Sequence, residues 1–139
     1  MRNVLVLLAV GAAAGVLAAP AAASETTIKA ALFRGVADIR GTPGERELDA
    51  KLLRVLAELR SAHGSTPAER TARTLAIAGF TWTRRGLRAR IDFVEKDSGN
   101  VAAATRDARA ADRRLRRGAA LLRRAGAALG IRIGALGGY

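Results

Sequence analysis

Residues 101–129 read VAAATRDARAADRRLRRGAALLRRAGAAL, and this stretch decides the fold. Its small and apolar residues fall at Val101, Ala104, Ala108, Ala111, Leu115, Gly118, Leu122, Ala125 and Leu129, with gaps alternating between three and four. A heptad seam of this length predicts an α-helix over about 100–129 laid against another helix. At about 100° per residue, Arg106, Arg109, Arg113, Arg117 and Arg124 gather opposite the seam, with Arg114, Arg116 and Arg123 on its flanks. The helix is therefore two-faced, and its apolar side is made mostly of Ala and Gly, which lets a neighbouring backbone come close.

The partner stands just upstream. From Pro67 to Asp97 the residues Ala72, Leu75, Gly79, Trp82, Gly86, Ala89 and Phe93 repeat the same alternation. A second flank of Ala76, Phe80, Leu87, Ile91 and Val94 predicts a helix with neighbours on two sides. This reading puts Trp82 and Phe93 in the core. Gly79 and Gly86 each cost about 1 kcal/mol against Ala in a helix interior. Their place on the seam implies close helix approach, or else a bend. Lys96-Asp97-Ser98-Gly99-Asn100 is the turn between the two long helices, so they should fold back as an antiparallel hairpin.

Two shorter helices precede the hairpin. Ile28, Leu32, Val36 and Ile39 recur at helical spacing between Glu25 and Arg40, and Gly41 ends the run. Thr42-Pro43-Gly44-Glu45 then places an N-cap Thr, a Pro in the first turn and a Glu at the third position, the pattern of a capping box. The helix it opens lines up Leu48, Leu52, Val55, Leu56 and Leu59 and closes at His63-Gly64, where Gly64 is the expected C-cap. Thr66-Pro67-Ala68-Glu69 repeats the start signal. The expected fold is all-α: a long antiparallel hairpin (about 67–97 and 100–129) packed with two shorter helices as a four-helix bundle. The hairpin tip around 87–112 should protrude, and Ile131, Ile133 and Leu136 should tack down a Gly-rich tail over 131–139.

The first 23 residues carry Arg2, an apolar run from Val4 to Leu17, and Ala21-Ala22-Ala23 before Ser24. Charge, apolar stretch and small residues come in the order of a secretory signal peptide, with cleavage expected after Ala23 and a cut after Ala21 as runner-up. The competing reading is an uncleaved N-terminal membrane anchor, because Val4 to Ala23 is long enough to span a bilayer. Either way the helical domain, residues 24–130, is expected outside the cytoplasm, in the periplasm, at the envelope or beyond it. The chain has no cysteine, so neither disulfides nor thiolate chemistry support it and helix packing must.

Charge is unevenly spread. Residues 24–71 hold 8 basic and 7 acidic side chains, whereas residues 72–139 hold 15 and 5, and no acid follows Asp112. A continuous arginine face suits phosphate-bearing surfaces, because the guanidinium fork meets phosphate oxygens two bonds at a time. The candidate polyanion-binding residues are Arg106, Arg109, Arg113, Arg116, Arg117, Arg123 and Arg124. The competing reading is a solvated face that binds nothing. Candidate partners are an anionic lipid, a wall polymer or another protein; export makes intracellular nucleic acid a poor candidate.

The chemistry of an enzyme is not legible here. One histidine, His63, stands beside a helix end, where it suits the helix dipole. With one histidine and no cysteine, neither a His-based catalytic triad nor a transition-metal site is expected, and no glycine loop cradles a phosphate. No catalytic residue, metal or cofactor is expected. The acids read as simple helix pairs, Asp92 with Lys96 and Asp112 with Arg116. The leading expectation is thus an exported, non-enzymatic binding protein. The alternative is a structural module that self-associates through the Ala/Gly seam.

Overall fold

The computed structural model describes residues 19–96 and 99–136, with side chains from Thr27 onward. Four helices follow one another: α1 (Ala19–Gly41), α2 (Glu45–Ser61), α3 (Pro67–Glu95) and α4 (Val101–Ala128). Among the described residues there is no strand. The expected all-α bundle with a long terminal hairpin is what the chain forms. The apolar run from Val4 to Leu17, on which the signal-peptide expectation rests, and the last three residues of the chain lie outside the described residues. α1 begins earlier than the periodicity implied, so the expected cut after Ala23 falls within its first two turns.

α3 is the centre of the molecule. It packs against α4 on one side and against α1 and α2 on the other. Its buried residues are Ala72, Ala76, Gly79, Phe80, Thr83, Gly86 and Leu87, with Glu69 at its start. This face keeps Ala72, Gly79 and Gly86 of the expected seam but is rotated toward the second flank. Trp82 is only half-buried and Phe93 is 37% exposed, so neither belongs to the core. The reason is geometric. A helix that serves three neighbours buries a broad arc, and its centre lies between the two apolar flanks rather than on either one.

The α3–α4 interface is made by absent side chains. A Cβ on Gly79 would meet Leu122 Cδ2 at 2.8 Å, and one on Gly86 would meet Leu115 Cγ at 2.6 Å. From the other side, a Cβ on Gly118 would stand 2.4 Å from Thr83 Oγ1 and 2.8 Å from the Gly79 carbonyl. The glycines therefore permit close approach; they are not hinges. Thr83 is buried at this crossing and donates its hydroxyl to the Gly79 carbonyl at 3.0 Å, so no polar atom is stranded. α1 uses the same device, with Gly35 lying under the Phe80 ring.

The large apolar residues sit across α1, α2 and α3. Ile28, Leu32, Leu48, Leu52, Val55, Leu56, Leu59 and Phe80 are all at most 2% exposed. The tail completes this cluster. α4 ends in a Schellman motif, in which Ile131 N–H donates to the Gly126 carbonyl (2.8 Å) and Gly130 N–H to the Ala127 carbonyl (3.0 Å). Gly130 supplies the left-handed backbone (φ 70°) that the motif needs. Ile133 and Leu136 are then buried, and Arg40 of α1 donates to the Ala135 carbonyl at 3.4 Å. Residues 131–136 thus link α4 to α1.

Two expected caps are replaced. At Thr66 the capping box forms, with Glu69 N–H donating to Thr66 Oγ1 (3.2 Å) and the Glu69 carboxylate accepting from Ser65 and Thr66 N–H. At Thr42 it does not. α2 starts at Glu45 with Gly44 as N-cap and no side-chain cap bond. Thr42 belongs to the end of α1, its N–H donating to the Asp38 carbonyl and its hydroxyl accepting from Lys51 Nζ. Nor does Gly64 cap α2, which ends at Ser61 with an extended Ala62. Arg73 reaches over from α3 instead, donating to the Leu59 and Arg60 carbonyls at 2.7 and 2.8 Å.

Candidate functional site

The arginines fall into two populations. Arg84, Arg88 and Arg90 of α3 are spent on acids within the fold. Arg84 makes a two-bond pair with Asp49 of α2 (2.8 and 3.2 Å), both side chains being less than one-fifth exposed. Arg88 adds to Asp49 at 3.5 Å. Arg90 stands 2.8 Å from Asp112 of α4 and 3.9 Å from Glu45, and Glu95 pairs with Arg46. On the far side of α2, Arg34 pairs with Glu58. Such pairs hold α2 along α3 as far as the hairpin tip, so the tip is less bare than its sequence implies. What remains exposed there is Val94 and Val101, at 75% and 79%.

Asp112 is an instructive case. Its expected partner was Arg116, one turn on along the same helix; it turns inward to Arg90 instead. The hairpin brings α3 alongside α4, and a cross-helix guanidinium already half out of water competes well against a fully solvated one. Asp92 and Lys96 both line a groove of about 210 Å³ at the tip, with Ala89, Phe93, Asp107, Ala110 and Arg114. No ion pair joins Asp92 to Lys96.

The second population is the face of α4. Arg106, Arg109, Arg113, Arg116, Arg117, Arg123 and Arg124 are all exposed, and so is Arg114. Among the described residues none of these reaches a carboxylate within ion-pair distance. Their stems stand off the seam because Ala111, Leu115, Gly118, Leu122 and Ala125 occupy the buried side. The outcome is a helix about 40 Å long with a cationic outer face and no internal counter-charge over its second half. Asn100 caps its start, accepting from Ala102 and Ala103 N–H.

One feature of this face was not legible from periodicity. The guanidinium carbon of Arg117 lies 4.3 Å from the centroid of the Trp82 ring, and that of Arg85 lies 5.1 Å from it. Each such contact contributes about 0.5–1 kcal/mol at an exposed site. The signal available in the sequence was that Trp82 and Arg85 are three residues apart on α3. Arg117 could be added only once the register of α3 against α4 was known.

No group of three or more His, Cys, Asp or Glu side chains suited to a metal ion occurs among the described residues. His63 is exposed, two residues beyond the end of α2. Among the same residues no helix is long and apolar enough to cross a membrane. No family model, curated protein or solved structure matches this chain.

Proposed function

We propose that this protein is exported and non-enzymatic, and that it binds an anionic component of the cell envelope through the arginine face of α4. The observation that carries the reading is the division of labour among the arginines. The fold contains acids enough to pair Arg34, Arg46, Arg84, Arg88 and Arg90, and it leaves the α4 row without any. Like charges set along one helix repel each other and so destabilise the free protein slightly; an external polyanion relieves that repulsion and releases its own counter-ions. Leader and face fit together, because an exported cationic surface meets headgroup and wall phosphates first.

The test is sedimentation of the purified mature chain with anionic vesicles, wall polymer and DNA at low and moderate salt. Binding should weaken with salt, by on the order of a hundredfold between about 50 and 200 mM if four phosphates are engaged. A chain that ignores all three targets at low salt rules the reading out. Self-association is the second reading. The small-residue seam from Ala111 to Ala125 is occupied by α3 within the chain, so a second copy would have to use its exposed end near Val101.

A further inference from the structure

Around Trp82 the cationic face acquires an apolar floor. Trp82 lies on the side of α3 turned away from Phe80 and Leu87, which point to α1 and the core. Leu75, Ala78 and Ala89 share its helical face and are half-buried, and Leu121 stands one turn beyond Arg117 on α4. Neither Arg85 nor Arg117 reaches a carboxylate among the described residues. Two unpaired guanidiniums are therefore held against one indole, with small and medium apolar side chains beside them.

A guanidinium stacked on an aromatic ring keeps its N–H donors at its edge, pointing away from the ring and free for acceptors. Stacking also removes much of the rotamer freedom that a solvated arginine would lose on binding. An indole flanked by cations has the composition of a side chain placed at headgroup depth, where its ring meets acyl chains and its surroundings meet phosphate. A soluble polyanion would use the charges but has no use for the apolar floor.

We propose that Arg85, Trp82 and Arg117 form a phosphate-headgroup site that seats the uncovered side of the α3–α4 hairpin on an anionic bilayer surface. The site rests on the polyanion reading above and sharpens it, replacing a diffuse cationic face by a defined point of contact. Trp82 is the only tryptophan in the chain, so its emission reports on this site alone.

The experiment uses the mature chain, vesicles of anionic phospholipid, vesicles of zwitterionic phospholipid, and soluble inorganic polyphosphate. Anionic vesicles should shift Trp82 emission to the blue and allow its quenching by brominated acyl chains; polyphosphate should do neither. Replacing Arg85→Lys and Arg117→Lys together keeps every charge but removes the planar forks, and should weaken vesicle binding about tenfold. The matched pair Arg54→Lys with Arg60→Lys, exposed on α2 and outside the α4 face, should change it by less than about threefold. Circular dichroism checks that each variant remains helical. If the Arg85/Arg117 pair binds vesicles as the unaltered chain does, the site is overturned while the polyanion reading stands. An equal response to polyphosphate overturns the bilayer assignment. If the unaltered chain binds no anion at all, the polyanion reading fails and takes the site with it.

Discussion

Gly118 shows how much of this fold depends on atoms that are missing. It faces Thr83 and the Gly79 carbonyl, and the nearest obstacles to a Cβ include backbone, which cannot swing aside. Gly118→Ala should force α3 and α4 apart and lower stability by about 1–3 kcal/mol in denaturant unfolding. That loss runs against the gain of roughly 1 kcal/mol that Ala normally brings to a helix interior. Gly41 provides the opposite case. It is the last residue of α1, and nothing lies within 4 Å of its would-be Cβ. Gly41→Ala should therefore stabilise the chain by about 0.5 kcal/mol, mainly by restricting the unfolded state. If Gly118→Ala raises the unfolding midpoint, as Gly41→Ala should, the close approach described for α3 and α4 is wrong.

At the scale of the element, two near-identical words have different fates. Thr42-Pro43-Gly44-Glu45 and Thr66-Pro67-Ala68-Glu69 carry the same cap signature, yet only the second forms a capping box. The link between α1 and α2 has only residues 42–44, and α1 still holds Thr42 through its N–H bond to Asp38. Thr42 cannot both close the last turn of one helix and cap the next. Thr66 follows a longer link and has no such claim on it. Thr66→Ala should thus cost about 1 kcal/mol of stability, and Thr42→Ala less, because it removes only a partly buried bond from Lys51. Thermal unfolding of the two variants side by side measures the difference. Arg73 illustrates the same limit from the other direction. Gly64 was the local candidate to end α2, but an arginine thirteen residues beyond Arg60 supplies the cap, and no local pattern announces it.

At the scale of the molecule, the tail decides whether α4 is a full member of the bundle. α4 packs mainly on α3, and without residues beyond Gly130 it would hang on that one contact. The Schellman turn sends the chain back so that Ile133 and Leu136 join the core and Arg40 meets the Ala135 carbonyl. Deleting residues 131–139 should remove at least about 3 kcal/mol, the burial of two large aliphatic side chains. The α4 signal should then melt below the rest. A single unshifted transition in calorimetry would show that the tail is dispensable.

What the sequence determined by itself is whatever depends on near neighbours along the chain. Helix existence, the order of four helices, the seam of α4 and the second cap all follow from spacings of three and four, because an α-helix places those residues together whatever surrounds it. The exposure of Arg106, Arg109, Arg113, Arg116, Arg117, Arg123 and Arg124 follows for the same reason, as the faces opposite a buried seam. The tertiary structure decided what depends on several elements competing for one side chain. It rotated the buried face of α3 so that Trp82 and Phe93 left the core. It took Asp112 from Arg116 and gave it to Arg90, withheld the cap at Thr42, and set Arg117 on Trp82 beside Arg85. The contacts of Asp112 and Arg117 depend on the register between α3 and α4, and that register is set where Gly79, Gly86 and Gly118 let two backbones meet.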